Sequence, residues 1–448
     1  MSLPVAALLP RRGSSGLGRP GAGPAPPVPK VAVIGGGWAG LAAAIEATQS
    51  GQAVTLFEMA AQLGGRSRGV AIDGLTLDNG QHILIGAYTE TLRLMRIVGA
   101  RVDDVFLRTP LRFTDPQGQG LQLKPGSPVL AFASAVLRHG GWPWRDKAAL
   151  LAAATGWFLT GFRCEPTLSV AGLTAGLPLA VRESLVEPLC VAALNTPAAE
   201  ASGTVFLRVL KDALFSGPGS ADLLLPRVSL SEVLPVPAAH WLRRSGATIR
   251  LSHRVDRFEP QGPSWRVDGE LFDHVVLATT PVEAARLAQA LAPDWSRTAA
   301  SLRYEPIVTV YMRSAGTRLP EPMLALRADV KSPAQFVFDR GQLGGPAGLL
   351  AFVISGAQAW VDLGVEATQQ AVLHQANTAL AQHLRSPVLT VRTLIEKRAT
   401  FRCTPGLQRP ALRIAPGLHA AGDHVEGPYP ATLEGAVRCG VAAVRSFA

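Results

Sequence analysis

Cysteine is scarce and scattered: Cys164, Cys190, Cys403 and Cys439 are the four in 448 residues, and no pair stands at C-x-x-C spacing. That excludes a disulfide framework and a cysteine zinc site. No metal is expected, and the usage fits a reducing cytoplasm. Buried structural cysteine is the ordinary role left for the four. Lysine is scarce too. Lys30, Lys124, Lys147, Lys211, Lys331 and Lys397 are the six, so the 43 Lys+Arg that outweigh 33 Asp+Glu to a net +10 are mostly arginine. Such a balance draws nucleic acid or anionic lipid. However, no basic run is interleaved with aromatics, which speaks against a nucleic-acid partner. Long apolar runs are also missing, although hydrophobic content is 48% and charge only 17%. One alanine-rich uncharged stretch, Ala148 to Phe162, falls short of the roughly 18 to 20 residues that span a bilayer. A core helix is the first reading of that run. A membrane-facing or lipid-tunnel helix is the second, supported by flanking Arg145, Lys147 and Arg163 and by Trp142, Trp144 and Trp157. No export signal is visible, because Arg11 and Arg12 follow the few apolar residues of Met1 to Pro10 rather than precede them. A cytoplasmic location is expected, with peripheral contact at the inner membrane face left open.

What is present is organised around Lys30 to Glu58, KVAVIGGGWAGLAAAIEATQSGQAVTLFE. Val31 to Ile34 are an apolar run of the kind a buried parallel strand shows. Gly35, Gly37 and Gly40 follow at G-x-G-x-x-G spacing, and Leu41 to Gln49 form an alanine-rich helix closed by Gly51. Ala53 to Phe57 are a second strand, ending in Glu58. Strand, glycine turn, helix, strand and acid in this order are the dinucleotide fingerprint. Gly35 permits the tight turn, Gly37 lets the backbone approach a pyrophosphate, and Gly40 lets helix and strand pack closely. The helix N-terminus faces the phosphate charge, and Glu58 is placed to accept from a ribose. By itself the fingerprint does not separate NAD from FAD.

The first 29 residues, rich in Pro, Gly, Ser and Arg, read as a disordered leader. A first nucleotide-binding block runs over 30–102. Within it, Gly64-Gly65-Arg66 and Leu75 to His82 (LTLDNGQH) read as loops around a ligand, and Leu92 to Ile97 as a helix. Residues 103–225 turn to short β-like pieces and alanine-rich apolar segments. Residues 226–285 resume the nucleotide domain with a helix ending at Gly246, then an alternating strand through ATIRLSHRVDRFE that contains Val255. Residues 286–400 carry further strands at Ile307 to Met312, Gln335 to Phe338 and Leu349 to Ser355, and a helix near Val365 to Leu384. Residues 401–448 close the nucleotide domain with a strand into Gly422-Asp423 and a helix from about Thr432. The expected class is therefore α/β: a discontinuous Rossmann-like FAD-binding domain with an inserted α+β substrate domain. A long FAD lying across the sheet needs such a distant third piece, whereas a nicotinamide domain rarely does.

In this order, the glycine fingerprint, Leu63-Gly64-Gly65-Arg66, the Val275 to Thr280 strand and the terminal Ala421-Gly422-Asp423 resemble the flavin-dependent amine oxidase and phytoene desaturase superfamily. The resemblance covers residues 30 to 448. Within it, Leu77 to His82, Ile83 to Tyr88 and Pro188 to Thr196 (PLCVAALNT) are similar to the hydroxysqualene dehydroxylase family of bacterial hopanoid synthesis, also called squalene-associated FAD-dependent desaturases. Amine oxidases of the superfamily carry an aromatic residue before the Met/Leu-Glu-Gly segment; Thr432 and Leu433 stand there, which disfavours an amine substrate.

The resemblance implies FAD held by Gly35, Gly37, Gly40, Glu58, Gly65, Arg66, Gly80, Val255, Gly422, Asp423 and Glu434. Glu58 would hold the adenosine ribose, Gly65 and Arg66 the phosphate and flavin side, the Val255 backbone the adenine, and Asp423 the ribityl chain. The N-terminus of the closing helix, about half a positive charge, would face the flavin's pyrimidine edge. The implied reaction is reductive removal of an allylic hydroxyl from a C30 polyisoprenoid, with oxidative carotenoid desaturation or isomerisation as the alternative. A general acid is needed, and His82, Glu187 and His424 are the candidates, His82 first. The electron donor is not legible, since no second dinucleotide fingerprint is present.

Overall fold

The computed structural model describes residues 28–447, so nearly all of the leader expected over 1–29 lies outside the described residues. The central sheet has six strands in the order Thr248–Arg250, Ala53–Phe57, Lys30–Ile34, His274–Leu277, Leu418–Ala420, Arg413–Ala415. The first five run parallel and the sixth is antiparallel. Val31, Ala32 and Val33 are fully buried in its middle, as a strand covered on both faces requires. The Trp38–Gln49 helix covers one face and is buried along nearly its whole length. Alanine suits it because the Leu433–Arg445 helix lies on its other side. A Cβ on Gly440 would come within 2.1 Å of the Ala39 carbonyl oxygen, so the two helices pack backbone to backbone. Full burial of Leu41 and Ile45 in this layer contributes about 2 kcal/mol each. The last residues of the chain thus complete a core begun at Val31.

The second lobe has a five-stranded antiparallel sheet, Met323–Ala325, Phe336–Asp339, Leu349–Ile354, Tyr304–Arg313, Leu389–Phe401. Its longest strand, Leu389–Phe401, escaped the sequence reading because Arg392, Glu396, Lys397 and Arg398 interrupt its apolar pattern. Against this sheet stands a helical insert with its own core, built on Val136, Leu150, Val181, Cys190 and Phe206.

Three expectations are corrected. The segment around Val255 is not a strand: the strand stops at Arg250, and residues 251–257 form an irregular loop that turns past the sheet edge. Leu75–Asp78 is not loop but the second strand of a hairpin with Gly69–Ile72. The Trp144–Leu159 helix is not a core helix, since only Asp146, Lys147 and Leu150 are buried in it. One side, with Leu150, Leu151, Ala153 and Trp157, packs on the core of the insert, while Trp144, Phe158 and Leu159 stand in solvent, a division that hydropathy alone cannot reveal.

Candidate active site

One large cavity, about 730 Å³, runs from the glycine turn to the second lobe. That is within the usual range for a cofactor or substrate site. At one end Gly35, Gly37, Glu58, Val255 and Thr280 line it; at the other stand Leu111, Phe113, Ile307, Met323, Phe336 and Phe338. Between them lie Gly65, Arg66, Gly80, His82, Gly422, Asp423 and His424.

The glycine end is backbone pressed against backbone. A Cβ on Gly40 would sit 1.8 Å from the Gly35 carbonyl oxygen, and Gly35 itself adopts φ +111° beneath the Ala278 carbonyl. Over Gly37 the space is open, with nothing nearer than the Gly65 Cα at 3.8 Å, so a side chain there would fill the cradle a ligand needs. Gly37 caps the first helix with no side chain, which leaves that helix's leading N–H groups turned toward the cavity. Glu58 is buried and accepts from the Gly36 N–H at 2.6 Å and the Ala60 N–H at 2.8 Å. One carboxylate therefore braces the turn and lines the cavity.

At the middle, Arg66 donates from Nη2 to both oxygens of Asp423 at 2.7 Å and from Nη1 to the Ala399 carbonyl at 2.7 Å. Burial alone would raise the Asp423 pKa, but the Arg66 guanidinium and His424 outweigh it and hold the carboxyl far below its usual range. Arg66 is thus neither a solvated surface residue nor a free phosphate clamp. Arg409 fixes the loop beyond Asp423 by donating to the carbonyls of Asp423, Val425, Gly427 and Tyr429. No motif marked it, because its partners are all backbone. Asn79 stands inside the Leu77 to His82 motif without an assigned role; its Nδ2 bridges the Arg66 carbonyl and Glu396 at 3.0 Å each. Asn195, in the left-handed region at φ +49°, ties the helical insert to the five-stranded sheet through Glu305, Gly356 and Thr400.

The three acid candidates separate. His82 has both ring nitrogens occupied, Nδ1 facing the Gly80 carbonyl at 3.0 Å and Nε2 the Ser67 hydroxyl at 2.9 Å. The carbonyl can only accept, so the neutral ring carries its proton on Nδ1. Burial pushes its pKa down, against the pull of the Gly80 carbonyl and Asp78. Glu187 does not reach the cavity; its carboxylate accepts from the Ala198 N–H at 3.2 Å. His424 is buried against Gly422, its Nδ1 3.9 Å from Asp423, and its Nε2 has no partner among the described residues. Burial lowers its pKa as well, with Asp423 pulling the other way.

Glu434 lines the cavity, but its carboxylate is committed elsewhere. It accepts from the Glu90 and Thr91 N–H groups and the Thr91 hydroxyl at 2.7–3.0 Å, capping the Thr89–Ile97 helix, and from Arg438. Only its backbone, in the first turn of the closing helix, is left for a ligand. Asp78 plays a similar part, accepting from the Leu230 N–H at 2.8 Å.

The open cradle over Gly37, the bare helix N-terminus and the unpartnered polar atoms on Gln81 and His424 fit FAD as the group this cavity holds. Comparisons with known proteins agree. Hydroxysqualene dehydroxylase of Rhodopseudomonas palustris is 28% identical over 432 residues, 92% of this chain and 96% of the relative. Zeta-carotene desaturase of a Synechocystis strain is 37% identical, but over 73 residues, only 16% of this chain and 15% of the relative. The solved structure of an oxidoreductase from Methanosarcina mazei shares the fold, with a TM-score of 0.70, 16% identity and coverage of 93% of this chain and 99% of that one. The sequence model of the flavin containing amine oxidoreductases matches residues 38–446, nearly the whole described chain, and this protein belongs to that family of FAD-dependent oxidoreductases.

Proposed function

We propose that the protein reductively removes the allylic hydroxyl of hydroxysqualene to give squalene, in hopanoid or triterpenoid biosynthesis. The observation that carries this reading is the apolar arm of the cavity. Ile85, Phe113, Phe336 and Phe338 come from three sheets, with Ile83 and Leu111 from the segments beside two of them, into the cavity that Asp423 and His82 also line. Such a wall suits a long hydrocarbon, and the relative matched along almost its whole length carries the corresponding name. Thr432 and Leu433, where an amine cage would need an aromatic, line the same space.

Replacing C–O by C–H consumes one hydride and one proton and releases water. Bound FAD supplies the two-electron chemistry. Gly35, Gly37, Gly40, Glu58 and Gly65 would hold its adenine and pyrophosphate side. The Asp423 loop and the start of the closing helix, capped by Thr432 through the Gly435 N–H at 3.1 Å, would hold the rest. The Arg66–Asp423 pair keeps the loop ionised and fixed. The apolar arm excludes water, which protects a transient allylic cation. His424 is the proton donor of this proposal, from Nε2. His82, with both nitrogens engaged, positions the Gly80 turn instead.

A general acid works only when protonated. Because burial holds the His424 pKa below about 6.5, the ordinary histidine value, kcat/KM falls as pH rises through that lowered pKa. His424→Gln removes this limb while flavin stays bound; an unchanged pH profile would remove His424 from the mechanism. The decisive test is anaerobic incubation of chemically reduced enzyme with hydroxysqualene. Squalene is expected. No squalene, together with phytoene desaturation by the oxidised enzyme, would put an oxidative carotenoid desaturase in its place. A C30 hydrocarbon also implies collection from a lipid phase, so peripheral membrane contact is part of the proposal.

A further inference from the structure

A helix that is apolar on every side is ordinarily buried. The Trp144–Leu159 helix is not. From Ala148 to Phe162 it carries no charge, yet Leu159 is 78%, Trp144 71% and Phe158 55% exposed, and Leu130 on the neighbouring Pro128–Arg138 helix is 71% exposed. Lys147 locks the two helices together, its Nζ donating to the Leu137 carbonyl at 2.8 Å and lying over the Trp144 ring. The apolar face is therefore a fixed surface of the fold.

We propose that this face docks on an anionic lipid bilayer and feeds hydrocarbon toward the cavity; the feeding rests on the substrate reading above. Charge selects the occupant. Between residues 124 and 163 the exposed charges are Lys124, Arg138, Arg145 and Arg163, all cations, while Lys147 is buried and the single acid, Asp146, is buried beside Arg145. The face is apolar at its centre and rimmed by exposed cations, as an interfacial helix is. A second copy of the same face would bring those cations against one another. No helix among the described residues is long and apolar enough to cross a membrane, so the pair lies on the surface. The link to the cavity is one helix thick. Phe158 stacks on Phe215 with ring centroids 5.4 Å apart, and Phe215 ends the Gly203–Phe215 helix whose Val209 and Asp212 line the cavity.

The test is cosedimentation of the holoenzyme with phosphatidylcholine vesicles, with and without phosphatidylglycerol. Binding is expected to strengthen with the anionic lipid and to fall at least about tenfold in Leu130→Glu/Leu159→Glu. In Arg145→Ser/Arg163→Ser the phosphatidylglycerol effect should shrink by roughly tenfold. Trp144→Ser gives a second apolar variant, and flavin content with circular dichroism confirms folding of each. Wild-type protein that stays in the supernatant, or variants that bind as it does, would overturn the proposal. So would a wild-type dimer that the variants convert to monomer by light scattering, because the face would then belong to a second copy. Turnover of detergent-dispersed hydroxysqualene reads the reaction separately. Vesicle binding without squalene formation leaves the docking face standing and removes the dehydroxylase reading.

Discussion

The two ends of the cavity are built by opposite means. At the glycine end the wall is backbone packed without spare volume behind the open cradle of Gly37: a single methyl at Gly40 overlaps a carbonyl. At the far end the walls are side chains, Met323, Phe336, Phe338 and Val353, standing on one face of an antiparallel sheet. Backbone walls recognise one shape and tolerate no substitution. Side-chain walls can be remade residue by residue at a modest cost each. A family that keeps its cofactor and varies its substrate is served by that division.

The largest effect should come from breaking the rigid end. Gly40→Val drives a branched side chain into the Gly35 carbonyl, and the purified protein should carry no flavin absorbance. Retained yellow protein would show that the close packing is not what holds FAD. Next, Arg66→Met leaves Asp423 buried without its guanidinium. Loss of one partner costs about 3 kcal/mol, the low end for such pairs because Arg66 keeps 33% side-chain exposure. Urea unfolding measures it, and flavin should also bind more weakly. Glu434→Ala removes the acceptor from the Thr89–Ile97 helix and should cost about 2 kcal/mol while flavin stays bound; flavin loss with unchanged stability would restore Glu434 to the cofactor. At the adaptable end, Phe338→Leu should cost about 1 kcal/mol and shift KM for hydroxysqualene with no change in flavin content. The smallest effect belongs to His82→Asn, which should reduce turnover less than His424→Gln does. The reverse order would restore His82 as the acid.

The site was legible where its signals were local and illegible where they were not. Gly35 to Glu58 announce themselves because a turn, a helix and a strand fall within one short stretch. Glu187 was misplaced because a motif match says nothing about which way a helix faces, and its carboxylate turns to Ala198. Val255 reached the cavity from a loop rather than the expected strand, since alternation in a polar stretch does not require a sheet partner. Arg409 gave no signal, because it works on backbone carbonyls, and Asn195, although inside the Pro188 to Thr196 resemblance, gave no sign that its partners are Glu305, Gly356 and Thr400.

By itself the sequence determined the cofactor end. Glycine spacing, β-branched strands and an alanine helix act through near neighbours, and few folds satisfy all three. The tertiary structure decided the rest. It brought residues 30 to 57 against 433 to 445, set Arg66 on Asp423, committed the Glu434 carboxylate to the Thr89–Ile97 helix, and left one side of the Trp144–Leu159 helix in solvent. Each of those outcomes depends on contacts between residues remote in the chain or on which side of an element meets solvent. Composition and spacing record the chemistry of a side chain but not its direction.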